Sequence, residues 1–193
     1  MALRYVASGK SDKGRVRSSN QDSGYAGNNL FIVADGMGGH AGGDIASAIA
    51  TQHVAKAEDV YPTVLKAEAA LTKAMTEANE ELKKTVESFK YLEGMGTTMD
   101  ALIFTGDAAT ILHIGDSRVY YLKDQVFSQV TKDHTFVQKL IDAGRITEEE
   151  ALYHPRRNVL MRVLGDDSQD IQFDVHQLEA APGDRFLLCS DGL

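Results

Sequence analysis

The sequence predicts an α+β domain in which helices are segregated from antiparallel sheets. Two amphipathic helical stretches follow one another with no strand between them, and four short apolar segments with tight turns then run from residue 99 to 130. A chain of 193 residues with 43% hydrophobic content suffices for one core, so residues 1–193 are expected to form a single domain.

Taken in order, residues 1–34 mix short apolar runs with turn chemistry (Ser8-Gly9, Asp12-Lys13-Gly14, Gly27-Asn28-Asn29). This predicts a β-meander ending in a strand over 30–34 that stops at Asp35. A glycine-rich turn, 36–43, leads into a helix over about 44–56 with Ile45, Ala48, Ile49 and Val54 facing inward. Pro62 suits the first turn of a second helix. Its stripe is Leu65, Leu71, Met75, Ala78, Leu82, Val86 and Phe89, mostly at three- and four-residue steps.

Strands are expected at 99–105, 110–114, 119–122 and 126–130, as in an antiparallel sheet. Residues 136–143 predict a short helix closed by Gly144, and Thr147 with Glu150 a capping box for another. The segment around His154-Pro155-Arg156-Arg157-Asn158 reads as a surface excursion, and 185–190 as a last strand ending at Asp191-Gly192.

Twenty Lys and Arg stand against 28 Asp and Glu, a net charge of −8, which argues against nucleic acid or an anionic membrane as the main partner. A single cysteine, Cys189, excludes an internal disulfide and a multi-cysteine zinc site, and suits a cytoplasmic, reducing compartment. No apolar run is long enough for a membrane span, and the N-terminus has no signal-peptide character.

The chemistry is suggested by carboxylates that recur where apolar strands end. Asp35-Gly36 and Asp191-Gly192 each close a strand, Gly115-Asp116-Ser117 follows another, and Asp22 lies upstream. One Asp-Gly after a strand is ordinary turn chemistry, but several at one end of a sheet would repel and require a counter-charge. An oxygen-only set selects hard cations, Mg²⁺ or Mn²⁺, rather than zinc. The Gly36 carbonyl can approach such a cation with no side chain in the way.

Five strings carry a family resemblance. They are Arg17-Ser18-Ser19-Asn20-Gln21-Asp22, Ala34-Asp35-Gly36-Met37-Gly38-Gly39-His40, Gly94-Met95-Gly96-Thr97-Thr98, His113-Ile114-Gly115-Asp116-Ser117-Arg118 and Cys189-Ser190-Asp191-Gly192-Leu193. In this order they resemble the motifs of bacterial metal-dependent serine/threonine protein phosphatases of the PPM (2C) type, along the whole chain.

The resemblance implies an antiparallel β-sandwich flanked by helices, a four-layer αββα arrangement, with two metals in a cleft at one edge. Asp35 would bridge both metals, the Gly36 carbonyl would bind one and Asp191 the other. Asp22 would orient metal-bound water, and Asp116 with Asp191 would form a third-metal site. Two cations ~3.5–4 Å apart generate hydroxide at neutral pH, with no covalent enzyme intermediate. The substrates implied are phosphoserine and phosphothreonine proteins, the partner a cytoplasmic serine/threonine kinase, and the chain is expected to be monomeric.

Other residues take their place around this reading. Arg17 offers a planar fork to a phosphate. His40 is either a general acid for the leaving oxygen or a cap for the helix near Asp44. His113 is expected to be structural, Ser117 a turn residue and Cys189 part of the core. Arg156, Arg157 and Arg162 fall in what the family uses as a flap, either meeting substrate or forming a solvated face.

Two other readings compete. Gly36-Met37-Gly38-Gly39-His40-Ala41 matches a dinucleotide fingerprint, but Asp35 would face the pyrophosphate and a second helix follows the first, so no βαβ unit closes. A phosphoprotein-binding scaffold without turnover is the runner-up. The resemblance implies further strands and a glycine-rich Asp-Asn motif that completes the metal site, and no Asp-Asn pair occurs here. The chain is therefore expected to be a fragment of a longer product, with sheet edges left unpaired.

Overall fold

β1 (Asp22–Ala26) and β2 (Leu30–Met37) form a hairpin that seeds the larger of two sheets. The computed structural model describes residues 3–38, 42–166 and 171–193. β2 pairs with β4 (Met99–Thr105), β4 with β5 (Ala108–Ile114) and β5 with β8 (Asp174–Glu179), all antiparallel, while the short β3 (Gly96–Thr97) pairs with the end of β2. The second sheet runs β7 (Val126–Gln129), β6 (Arg118–Lys123), β9 (Arg185–Cys189).

Side-chain alternation along β4 divides the core in two. Met99, Ala101 and Ile103 point to one face with Leu30, Ile32 and Ala34 of β2, against the helices. Leu102 and Phe104 point to the other, where Ile111, Val119, Phe186 and Leu188 join them between the sheets. Each fully buried aliphatic side chain contributes about 1.5–3 kcal/mol. Of the four layers the resemblance implies, the described residues build three, helices, main sheet and second sheet. Among them no helix is long and apolar enough to cross a membrane.

α1 (Gly42–Ala55) buries Ala46, Ser47, Ala50, Thr51 and Val54. The expected face is thus rotated. Ile45 and Ile49 flank the contact, half-buried against the same core, because small residues at its centre let the helix lie close to β2. α2 (Val64–Ser88) is capped by Thr63, whose hydroxyl accepts from the Lys66 N–H, so Pro62 precedes the cap instead of opening the helix. Ala67, Leu71, Met75, Ala78 and Leu82 are buried, whereas Leu65 and Phe89, at the ends of the predicted stripe, are exposed.

Four further differences have local causes. No strand forms among the described residues before Asp22. There Tyr5 stacks on Phe104 at 3.9 Å between ring centroids, and most side chains as far as Ser19 face solvent. β2 runs on through Asp35 and Gly36 because β3 supplies a partner. β3 itself is too short to show a period. β8 was not predicted, since its inward positions are Asp174, His176 and Leu178 while Val175 faces out, the reverse of an apolar-in pattern. α3 (Phe136–Asp142) and α4 (Glu148–Leu152) form as predicted, with Gly144 at φ +64° and both bonds of the capping box present.

His113 is structural, as expected. Fully buried between the sheets, it bonds Asp100 through Nδ1 (2.7 Å) and the Lys132 carbonyl through Nε2 (2.9 Å). Asp100 raises the His113 pKa against the opposing effect of burial.

Candidate metal centre

Topology brings the four predicted carboxylates to one edge of the sandwich. Asp22 and Asp35 are register partners on β1 and β2. Asp116 lies in the turn that crosses from β5 in the main sheet to β6 in the second, and Asp191 follows β9, which pairs with β6. Ser190 ties the sheets together by donating to Asp22 Oδ2 (2.8 Å).

The electrostatics follow from this gathering. Burial, then the charges of Asp22 and Asp191, push the Asp35 carboxyl up to about 7. Burial, then Asp191 and Asp133, push Asp116 up to about 6. Among the described residues, the groups named as acting on Asp35 are all carboxylates. A half-buried, all-carboxylate edge that Arg118, acting on Asp116, offsets only in part fits a hard divalent cation. Among the described residues no three ligating side chains close into a cage.

The main chain of Asp35 is held from both sides. Its N–H donates to Thr98 Oγ1 (2.9 Å), and its carbonyl accepts from the Thr98 N–H and the Thr97 hydroxyl, each at 2.9 Å. Thr98 Oγ1 also bonds the buried Ser117 hydroxyl (2.6 Å), so Ser117 links the Asp35 strand to the Asp116 turn. Replacing Thr98 with valine strands the Asp35 N–H and the Ser117 hydroxyl. The expected cost is about 2–3 kcal/mol, a melting temperature lower by roughly 4–12 °C. Thermal unfolding checks this; an unchanged midpoint would show the contact to be idle.

Gly36 is buried and packed against the start of α1. A Cβ there would lie 1.8 Å from the Gly43 carbonyl oxygen and 2.7 Å from that of Gln21. The glycine is thus required by a close approach of two backbones, beyond any need for an accessible carbonyl.

The remaining predicted residues are placed as follows. Arg17 is exposed on the segment leading to β1. His40 lies outside the described residues. Cys189 is half-buried in β9, and burial pushes its thiol up, which suits packing over nucleophilic attack. The arginines do not form one patch. Arg156 sits 3.8 Å over the Phe136 ring, Arg157 is exposed, and Arg162 pairs with Asp174 (3.0 Å). Thr98 ends the Gly94–Thr98 string, in which the sequence alone marks no role for it. His134 and Asp174, described below, lay in stretches with no hydrophobic period to mark them.

The chain is similar to known proteins along most of its length. A family profile described as protein phosphatase 2C matches residues 12–193. The serine/threonine protein phosphatase PstP of Mycobacterium tuberculosis is 47% identical over all of this chain, which spans 37% of PstP's length. The serine/threonine phosphatase stp of Listeria monocytogenes is 40% identical over 95% of this chain and 76% of its own. The M. tuberculosis PstP crystal structure superposes with a TM-score of 0.88 over 95% of this chain and 77% of that one, at 47% identity. A PstP catalytic domain in complex with two manganese ions gives a TM-score of 0.85 at 44% identity, covering 95% of this chain and 76% of that domain.

Proposed function

We propose that this chain, which belongs to the protein phosphatase 2C family, carries out metal-dependent hydrolysis of phosphoserine and phosphothreonine in proteins. The observation that supports this most is the convergence of Asp22, Asp35, Asp116 and Asp191 from two sheets on one edge, with the Asp35 carboxyl raised by burial and by its neighbours. The manganese bound to a relative of the same fold supports the choice of Mn²⁺ or Mg²⁺.

Asp35 and Asp191 are the side chains that would hold two cations, joined by the Gly36 carbonyl, with Asp116 and Asp191 holding a third. When bound, such cations neutralise phosphate charge and make water nucleophilic at neutral pH. Asp22, one oxygen engaged by Ser190, would use the other to orient the attacking water. Arg17, exposed beside β1, would clamp the phosphate with two parallel N–H donors. His40 is the proposed proton donor to the departing serine or threonine oxygen. Phosphorylated proteins, including a cytoplasmic serine/threonine kinase and its targets, are the proposed substrates.

Hydrolysis of a phosphothreonine peptide by the purified chain tests this. Turnover with Mn²⁺ and none with EDTA is the expected result. Binding of the peptide without turnover in either condition would make the chain a phosphoprotein-binding module instead.

A further inference from the structure

Beside the carboxylate edge, a histidine that takes no part in the proposed chemistry holds the residue before Asp116. The Gly115 N–H donates to His134 Nδ1 (3.1 Å), and the Gly115 carbonyl accepts from the His134 N–H (2.7 Å). One histidine thus engages both polar main-chain groups of Gly115. That glycine cannot be braced by a side chain of its own. Its φ is +111°, and a Cβ would fall 2.5 Å from the Thr98 side chain.

The hydrogen bonds determine the His134 tautomer. Nε2 lies 3.1 Å from Asp174 Oδ2 and 3.2 Å from the Arg162 guanidinium. A neutral imidazole has one acceptor and one donor nitrogen. Because Gly115 donates to Nδ1, Nε2 carries the proton and donates to Asp174, while Arg162 is held by Asp174 Oδ1 (3.0 Å). Burial keeps the His134 pKa below its ordinary value, in keeping with a neutral ring. The next residue back adds a second clamp, since Asp133 takes a two-bond fork from Arg118 (2.9 and 2.7 Å) on the far side of the same turn.

We propose that His134 is a positioning residue for Asp116. Locked by Asp174 with Nδ1 as acceptor, it fixes the Gly115 main chain and so the direction in which Asp116 meets the cation edge. This rests on the reading of Asp116 as a cation ligand. Groups that orient metal ligands through one intervening contact typically govern affinity by roughly 10–100-fold.

The test is calorimetric titration of the full chain with Mn²⁺, with Asp116→Asn as reference and melting in EDTA as a check of folding. His134→Gln puts its amide near the Nε2 place and leaves the Gly115 N–H without an acceptor. It is expected to weaken the Asp116-dependent binding step by roughly 10–100-fold. His134→Asn, whose Oδ1 falls near the Nδ1 place, is expected to restore most of that loss. Asp174→Ala removes the partner of Nε2 and releases Arg162 but leaves the Gly115 contact in place, and is expected to weaken the step by a smaller factor; it serves if the histidine variants fail to fold.

If Asp116→Asn weakens binding while His134→Gln and Asp174→Ala bind like wild type, or if asparagine is no better than glutamine at 134, the positioning role is overturned. If Asp116→Asn itself leaves Mn²⁺ binding unchanged, it is the assignment of Asp116 that fails, and the inference falls with it.

Discussion

Replacing Asp35 with asparagine is expected to lower phosphopeptide turnover by roughly 1,000-fold or more while raising the melting temperature of the cation-free protein. The first effect follows from losing the carboxylate proposed to join both cations, since stabilisation of several kcal/mol corresponds to about three powers of ten in rate. The second follows from repulsion. Burial and the neighbouring carboxylates hold Asp35 at about 7 against an ordinary 3.8, so the folded state binds a proton that the unfolded chain has already released. Stability contributed by this group therefore falls as pH rises from about 4 to about 7 and is constant above.

Asparagine removes that penalty. Allowing for solvent screening of a half-buried group, the gain near neutral pH is on the order of 2 kcal/mol, roughly 4–8 °C. In EDTA the gap between variant and wild type is expected to open between about pH 4 and about pH 7. A variant less stable than wild type at neutral pH would mean that Asp35 makes a structural contact outweighing the repulsion.

Replacing Gly36 with alanine is expected to have the largest effect on folding. The added Cβ would meet backbone oxygens at 1.8 Å from Gly43 and 2.7 Å from Gln21, and neither can rotate away as a side chain would. α1 would have to leave β2, opening the contact made by Ala46, Ala50 and Val54. The cost is about 4–5 kcal/mol, comparable to the whole stability of a marginal domain. Circular dichroism and thermal melting check this; a cooperative transition within a few degrees of wild type would contradict the packing described.

The same residues show what local sequence reveals. Asp35, Asp116 and Asp191 stood out because each adjoins a glycine where an apolar strand ends, a signal that is local by nature. The α4 capping box was equally plain, since both partners lie within one turn. Of the predicted inward residues of α1, Val54 is fully buried while Ile45 and Ile49 only flank the core, because close approach to β2 selects alanine and glycine at the centre of the contact. His134 gave no signal, because its task is set by Gly115 and Asp174, and both partners are distant in sequence. β8 is hidden because its inward side carries Asp174, the partner of His134, and His176 where apolar residues would mark a strand.

Cation binding tests the central claim most directly, because it needs neither substrate nor turnover. Titrating wild type and Asp35→Asn with Mn²⁺ in a calorimeter is expected to show saturable binding of at least two ions to wild type. The variant is expected to lose the tighter step. Equal binding by the two proteins, or none by either, would contradict the assignment of this carboxylate edge as a metal centre.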